Sequence, residues 1–484
     1  MIGFIQTGYI TILNVIYKAT GKINEKIRNA ILWCFIFLLI SLSIYNYAIW
    51  SRGASIVQFE RDIIGCFFLA GIAIFSINGN LKKYPWNRQF VFIWYVFAIL
   101  LFISGLLHSV ENSYWLWSVS MLAGFPGFYL IWQNRKDYDT LFKLISSAML
   151  VAMFIFFVIC LYTVNSEMNV SGRFSSVMRN PNHLGKLAVS GTTAAFYLAI
   201  TSKRMWLYGI SVGIGWKLAQ LSGSRAAIIV FIAQVIVFLV YYIKYMYQIK
   251  GLREIIGNLI FLICVSALCS GGAEKGIEYY QKQHDAIIIQ EKEDAESEKK
   301  ESEENIQVTE SNQPTEETDN NPPEISQIPV EQNEDVLKDR SDIKGKTVDQ
   351  ISSGRTIIWK YYIKNLNFKG NDWKKYKANT PEYYYQWAHN DIIEISYRSG
   401  IFAGIFDFIF LFYLGIYILK YVFLKKEIKP YVCFTSLCIL TYGGYAMLDV
   451  ISFPFSMQYT FMFFVSLMPV FERRNELWTK QKSQ

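Results

Sequence analysis

Twelve predominantly apolar stretches recur along this chain, at about 31–50, 61–78, 90–107, 113–133, 140–164, 184–202, 206–221, 225–246, 255–270, 399–420, 430–450 and 455–471. A helix of about 20 such residues crosses the hydrocarbon core of a bilayer. A helix also satisfies its own backbone donors and acceptors, so it is the open-ended element that lipid tolerates. The expected fold is an all-α integral membrane protein with about twelve transmembrane helices. A large extracytoplasmic loop is expected between helices nine and ten. Composition agrees: 52% of the 484 residues are hydrophobic and 18% are charged, against about a quarter charged in soluble domains. That excludes a soluble enzyme, a disulfide scaffold and a fibrous protein. The least regular stretch, 206–221, is short and carries Lys217.

Charge then orients the helices. With the N-terminus inside, the inside connections hold Lys18, Lys22, Lys26 and Arg28; Lys82, Lys83 and Arg88; Arg135 and Lys136; and Lys203 and Arg204. The series continues with Lys244, Lys250 and Arg253; Lys420, Lys425, Lys426 and Lys429; and Arg473, Arg474 and Lys480. The short outside connections hold Arg52, Arg61, Arg173, Arg179 and Arg225. The bias toward basic inside connections fits twelve crossings with both termini cytoplasmic, as in a bacterial plasma membrane protein. The net charge of +8 therefore reads as lipid orientation, and no nucleic-acid partner is expected. Residues 1–30 lack a cleavage site, and their basic residues follow the apolar stretch, so they read as a cytoplasmic or membrane-surface helix.

The remaining organisation follows. Helices one to nine occupy 31–270, helices ten to twelve occupy 399–471, and 472–484 form a cytoplasmic tail. Residues 271–350 read as an acidic extracytoplasmic insertion. Within it, 285–342 carry 19 acidic and 5 basic residues with almost no aromatics. Such a segment buries too little apolar surface to order itself. Residues 351–398 differ, with Trp359, Trp373, Trp387 and the Tyr383-Tyr384-Tyr385 run. They suit a small helical cap, whose aromatics serve either sugar stacking or an interfacial belt.

Seven cysteines lie in or beside apolar runs without metal-type spacing, so they read as small hydrophobes. The four histidines, His108, His183, His284 and His389, make no metal cluster by spacing. No metal and no cofactor is expected.

Four polar constellations fall on the outside face. Arg173 precedes Arg179-Asn180-Pro181-Asn182-His183, a turn signal in which Asn182 caps the following helix. Ser224-Arg225 opens the eighth span. Arg355 and Trp359 stand four apart, on one face if helical. His389-Asn390 is followed by Glu394, which serves either to orient the imidazole or as a separate polar contact, and by Arg398. Taken singly, each has a bland reading as turn chemistry, a snorkelling anchor or a cap. Together they place several guanidinium groups and one imidazole on one side of the membrane. Guanidinium forks match phosphate oxygens. A sugar joined to a lipid diphosphate presents its leaving group at this depth. The arginines would stabilise charge growing on the diphosphate, without a metal. His389 would take the proton of an incoming sugar hydroxyl. Attack opposite the leaving group would invert the anomeric centre.

At these residues the chain resembles the bacterial O-antigen ligase/polymerase family. The resemblance rests on Arg173 with Asn180-Pro181-Asn182, Ser224-Arg225, Gly354-Arg355 with Trp359, and His389-Asn390 with Glu394, Arg398, Gly400 and Gly404. It covers roughly 31–471, and the acidic stretch at 285–342 departs from the family's compact loop. The resemblance implies a membrane glycosyltransferase of the cell envelope, acting in surface polysaccharide (lipopolysaccharide) biosynthesis. Its donor would be an undecaprenyl-diphosphate-linked glycan and its acceptor a glycan or glycolipid. It implies that Arg173, Arg225 and Arg355 contact the donor diphosphate and that His389, with Glu394, serves catalysis. Arg179, Asn182, Asn390, Arg398, Trp359 and Trp387 are further candidates for substrate binding. A polymerase using the same donor is the nearest alternative. A precursor transporter or flippase is the other; it predicts midplane charges or broken helices and internal repeats, whereas such charges are few, Asp407 the clearest with Lys217, and no repeat is evident.

Overall fold

The computed structural model describes residues 2–50, 58–108, 114–165, 169–170, 173–178, 180–202, 204–249, 251–307, 355–371, 378–379, 384–385, 387–425, 429–449, 454–455 and 457–473. The helices in chain order begin with α1 (Ile2–Thr20), α2 (Glu25–Trp50), α3 (Gln58–Ser76), α4 (Arg88–Leu107), α5 (Tyr114–Val119) and α6 (Phe125–Arg135). Next come α7 (Tyr138–Thr163), α8 (Pro181–Thr201), α9 (Leu207–Leu221), α10 (Arg225–Tyr247) and α11 (Leu252–Gln307). Last are α12 (Arg355–Lys364), α13 (Asp391–Ser399), α14 (Ile401–Ile418), α15 (Pro430–Leu448), α16 (Gln458–Ser466) and α17 (Met468–Phe471). Two short antiparallel pairs interrupt them: β1 (Asn169–Val170) with β2 (Arg173–Phe174), and β3 (Ala378–Asn379) with β4 (Tyr384–Tyr385). All twelve apolar stretches contain helix. Among the described residues, seven helices are long and apolar enough to cross a membrane. The chain is thus an α-helical membrane protein.

Local chemistry explains the irregular joints. Pro126 has no backbone N–H to donate into a continuous α5–α6 helix. The chain widens there into a π turn over Ser120–Gly124, and the N–H of Phe125 reaches the carbonyl of Ser120. Deeper in the bundle, an aromatic cluster joins α4, α14, α16 and α17. Trp94 lies 5.1 Å from Phe471 and 6.0 Å from Phe464, and Phe90 lies 5.8 Å from Phe410. Polar side chains pin the helices that carry the site. Gln234 of α10 donates to Thr193 of α8 and Thr441 of α15, each at 2.6 Å.

Contacts sort the helix ends into two sets. At one end, Arg28 is buried and donates to the carbonyls of Thr20, Ile23, Phe75 and Ile77. Arg135 donates to Ser76 and pairs with Glu25 at 3.3 Å. Lys244 donates to Val422 and Phe423. Helix α1 packs across the chain at 81–84 through Gln6 and Asn14. The opposite end holds the C-terminus of α9, the N-termini of α8, α10 and α12, and the α13–α14 corner.

Two expectations need correction, and one stretch expected to be helical despite its charge is helical. Residues 271–307 are not a disordered insertion, because α11 runs unbroken to Gln307. Glu, Lys, Gln and Ala are strong helix formers. They extend a helix that the apolar residues have already nucleated, and extension costs far less than nucleation. Residues 308–354 lie outside the described residues. The cap at 351–398 is not wholly helical, since β3 and β4 pair within it. Lys217 does not disqualify α9, because Glu274 of α11 neutralises it.

Candidate functional site

The Asn-Pro-Asn turn is built differently from the expectation. Asn180, not Asn182, caps α8: its side chain accepts the N–H of Asn182 at 3.0 Å, and Pro181 fills the first helical position, where no donor is needed. The Asn182 side chain is thereby directed to Arg173, whose Nη2 donates to it at 2.9 Å. Nε of Arg173 donates to the carbonyl of Ser222 at 2.7 Å. That carbonyl closes α9, where helix carbonyls lack intrahelical partners and attract cations. After Gly223, at φ 55°, Ser224 caps α10 by accepting the N–H of Ala227. Arg225 is therefore the first residue of α10, beside the carbonyl that holds Arg173. The two helices approach closely here. A Cβ on Gly185 would lie 2.8 Å from Ala227 Cβ and 3.1 Å from Ser224 Cβ.

His389 sits in a held, strained turn. Its φ is 51°, a left-handed conformation that costs a non-glycine residue on the order of 1 kcal/mol. Its neighbours fix that turn on both sides. The N–H of Ala388 donates to Glu394 Oε2 at 2.6 Å, and Trp359 Nε1 donates to the carbonyl of Ala388 at 2.7 Å. Asn390 caps α13 by accepting the N–H of Ile393 and donates to the carbonyl of Met447. Arg398 pairs with Glu394 and lies 4.4 Å over the Trp387 ring. Gly400, at φ 91°, turns the chain from α13 into α14, where a Cβ would collide with the carbonyl of Phe368.

The imidazole itself meets a residue that was not singled out. His389 Nδ1 lies 3.2 Å from Asp449 Oδ1, at the first residue past α15. A carboxylate only accepts, so Nδ1 donates here, and in the neutral ring Nε2 is then the acceptor. The His389 side chain is 36% exposed, enough to reach a substrate. Asp449 Oδ2 pairs in turn with Lys186 Nζ of α8 at 3.0 Å. Burial alone would raise the Asp449 carboxyl, but the charges of Lys186 and His389 outweigh it and hold it well below the usual carboxylate range. Half-buried Arg355, at the start of α12, has Asp449 and Arg225 as its electrostatic neighbours. Burial lowers its proton affinity, Asp449 opposes that, and the like charge of Arg225 adds to it. Guanidinium nevertheless stays charged.

Arg173, Arg225, Arg355 and His389 thus belong to one linked cluster, as do Asn182, Trp359 and Asn390. Arg179 and Gly354 lie outside the described residues. Of the two roles open to Glu394, orienting the imidazole or a separate polar contact, the contacts fit the second. Glu394 is buried against Ala388 and Arg398, and Asp449 contacts the ring. Arg398, Asn390, Trp359 and Trp387 hold the turn through protein contacts. Sequence reasoning missed Lys186 and Asp449. A charged residue inside an apolar stretch is a signal for function, and Lys186 carried that signal beside the Asn-Pro-Asn turn. Asp407 is buried in α14, and neither carboxylate oxygen has a hydrogen-bond partner. Comparison with protein-family models, with curated proteins and with solved structures gave no match.

Proposed function

We propose that this chain is a membrane glycosyltransferase of O-antigen ligase type. It transfers a glycan from an undecaprenyl-diphosphate carrier to an acceptor sugar at the extracytoplasmic rim of a bacterial plasma membrane. The observation that carries this reading is the part-exposed His389 backed by Asp449, with Asp449 linked electrostatically to Arg355 and Arg225, and Arg173 bound to the helix ends that bear Ser222 and Asn182. The reading includes the expected twelve crossings with cytoplasmic termini, which would put Arg28, Arg135 and Lys244 on the inside and the cluster on the outside.

The chemistry follows from the groups present. The arginines hold the diphosphate and stabilise the charge it gains as the bond from the anomeric carbon to the phosphate oxygen breaks. His389 Nε2 takes the proton of the acceptor hydroxyl, whose oxygen forms the new bond on the opposite face. The imidazolium so formed is stabilised by Asp449, and the anomeric centre inverts.

The test is transfer by purified protein, using labelled lipid-diphosphate glycan with either a glycolipid or a second lipid-linked glycan as acceptor. Glycosidic bond formation that His389→Ala abolishes, in protein that still inserts, supports the reading. Glycan use on the second acceptor alone would make the protein a polymerase. Movement of the intact donor across vesicles without a new bond would make it a flippase.

A further inference from the structure

Lys186 stands five residues into α8, four after Asn182, so both side chains share one helix face. That face therefore meets Arg173 through Asn182 and Asp449 through Lys186. The lysine is only 3% exposed, and its ammonium lies 5.6 Å and 5.9 Å from the Tyr445 and Tyr459 ring centroids. A buried ammonium is costly unless a carboxylate and aromatic faces receive it. Asp449 uses its two oxygens separately, Oδ2 on Lys186 and Oδ1 on His389. With one oxygen clamped, the carboxylate plane cannot turn away from the imidazole.

We propose that Lys186 is a positioning residue: by clamping Oδ2 of Asp449 it fixes Oδ1 against Nδ1 of His389, and so sets the tautomer and aim of the imidazole. This rests on the reading of His389 as the base, but the coupling itself has a readout that needs no activity. Residues that orient a functional histidine from one shell out change function by about 10- to 100-fold. A lysine that only neutralises a buried carboxylate would alter stability and leave the ring alone.

The experiment uses full-length protein in nanodiscs, with ¹⁵N-labelled histidine and the His389 signals assigned by their loss in His389→Gln. Wild type should show the neutral form protonated on Nδ1. Lys186→Met should lose that pattern, Lys186→Arg should keep it, and Asp449→Asn should reproduce the loss. Where Lys186→Met fails to insert, Lys186→Gln is the uncharged substitute. An unchanged His389 pattern in the uncharged variant overturns the proposal. In the transfer assay, kcat should fall about 10- to 100-fold with donor KM changed less than about twofold, and Lys186→Arg should restore it. A raised KM at unchanged kcat also overturns the positioning role. If wild type forms no glycosidic bond while the His389 signals still follow Lys186, the functional reading fails and the coupling stands.

Discussion

Basic side chains sit at both ends of this bundle, and their surroundings give them opposite roles. Arg28, Arg135 and Lys244 direct their donors onto helix carbonyls, chiefly at the C-terminal ends of α1 and α3 and in the π-helical turn Leu419–Leu424 that continues α14. Each closes a helix end that would otherwise leave acceptors unmet. At the other end, Arg225 and Arg355 begin helices, where the dipole is positive. They lie near each other with Asp449 between the charges of Lys186, His389 and Arg355. The lesson is that Arg28 and Arg135, whose donors end on helix carbonyls, serve the fold, whereas Arg225 and Arg355 at N-termini make a field that suits an anion; Arg173 combines the two, since its Nε closes α9 at Ser222.

This contrast sets the expected effects. Arg355→Ala should lower kcat by about 10²- to 10³-fold, as loss of a donor aimed at developing charge does. Its melting temperature should move little, and a matching loss of stability would erase the distinction between the two ends. Arg28→Met should do the reverse. Leaving buried carbonyls unmet costs about 1–3 kcal/mol, so thermal melts in detergent should shift down while the transfer rate per folded molecule is kept. Asp449 gives a pH signature. Its folded carboxyl is held below its unfolded value, so its stabilising share is complete above about pH 4 and lost as pH falls further. The gap in melting temperature between wild type and Asp449→Asn should therefore be full at pH 7 and narrow on acidification. A gap constant with pH would mean that the Lys186–Asp449–His389 chain does not form. The smallest effect belongs to Glu25→Ala. Glu25 is exposed, and such pairs contribute about 0–1 kcal/mol, so melts within error of wild type are expected.

The candidate site was partly legible before any coordinates. Arg173, Arg225 and His389 stand at connections that charge bias assigns to the outside and that carry little other charge, and that contrast is visible in one dimension. Glu394, close in sequence to His389, left the orienting role open. The fold gives it to Asp449, since α15 ends beside the 387–390 turn while the Glu394 side chain faces back into Arg398 and Ala388. The helix through 271–307 was hidden by composition, because low hydrophobicity describes a solvated helix as well as a disordered one.

Hydropathy and the bias of lysine and arginine along the chain were enough to reveal a helical membrane protein and to mark which connections hold unusual cations. Both are properties of residues taken in order, and lipid acts on them segment by segment. The partners of those cations were not legible. Lys186, Arg355, His389 and Asp449 lie on four separate elements, and only the packing of α8, α12, α13 and α15 brings their side chains within reach. A hydrogen bond over a few ångströms depends on where helices cross, and that depends on the whole bundle.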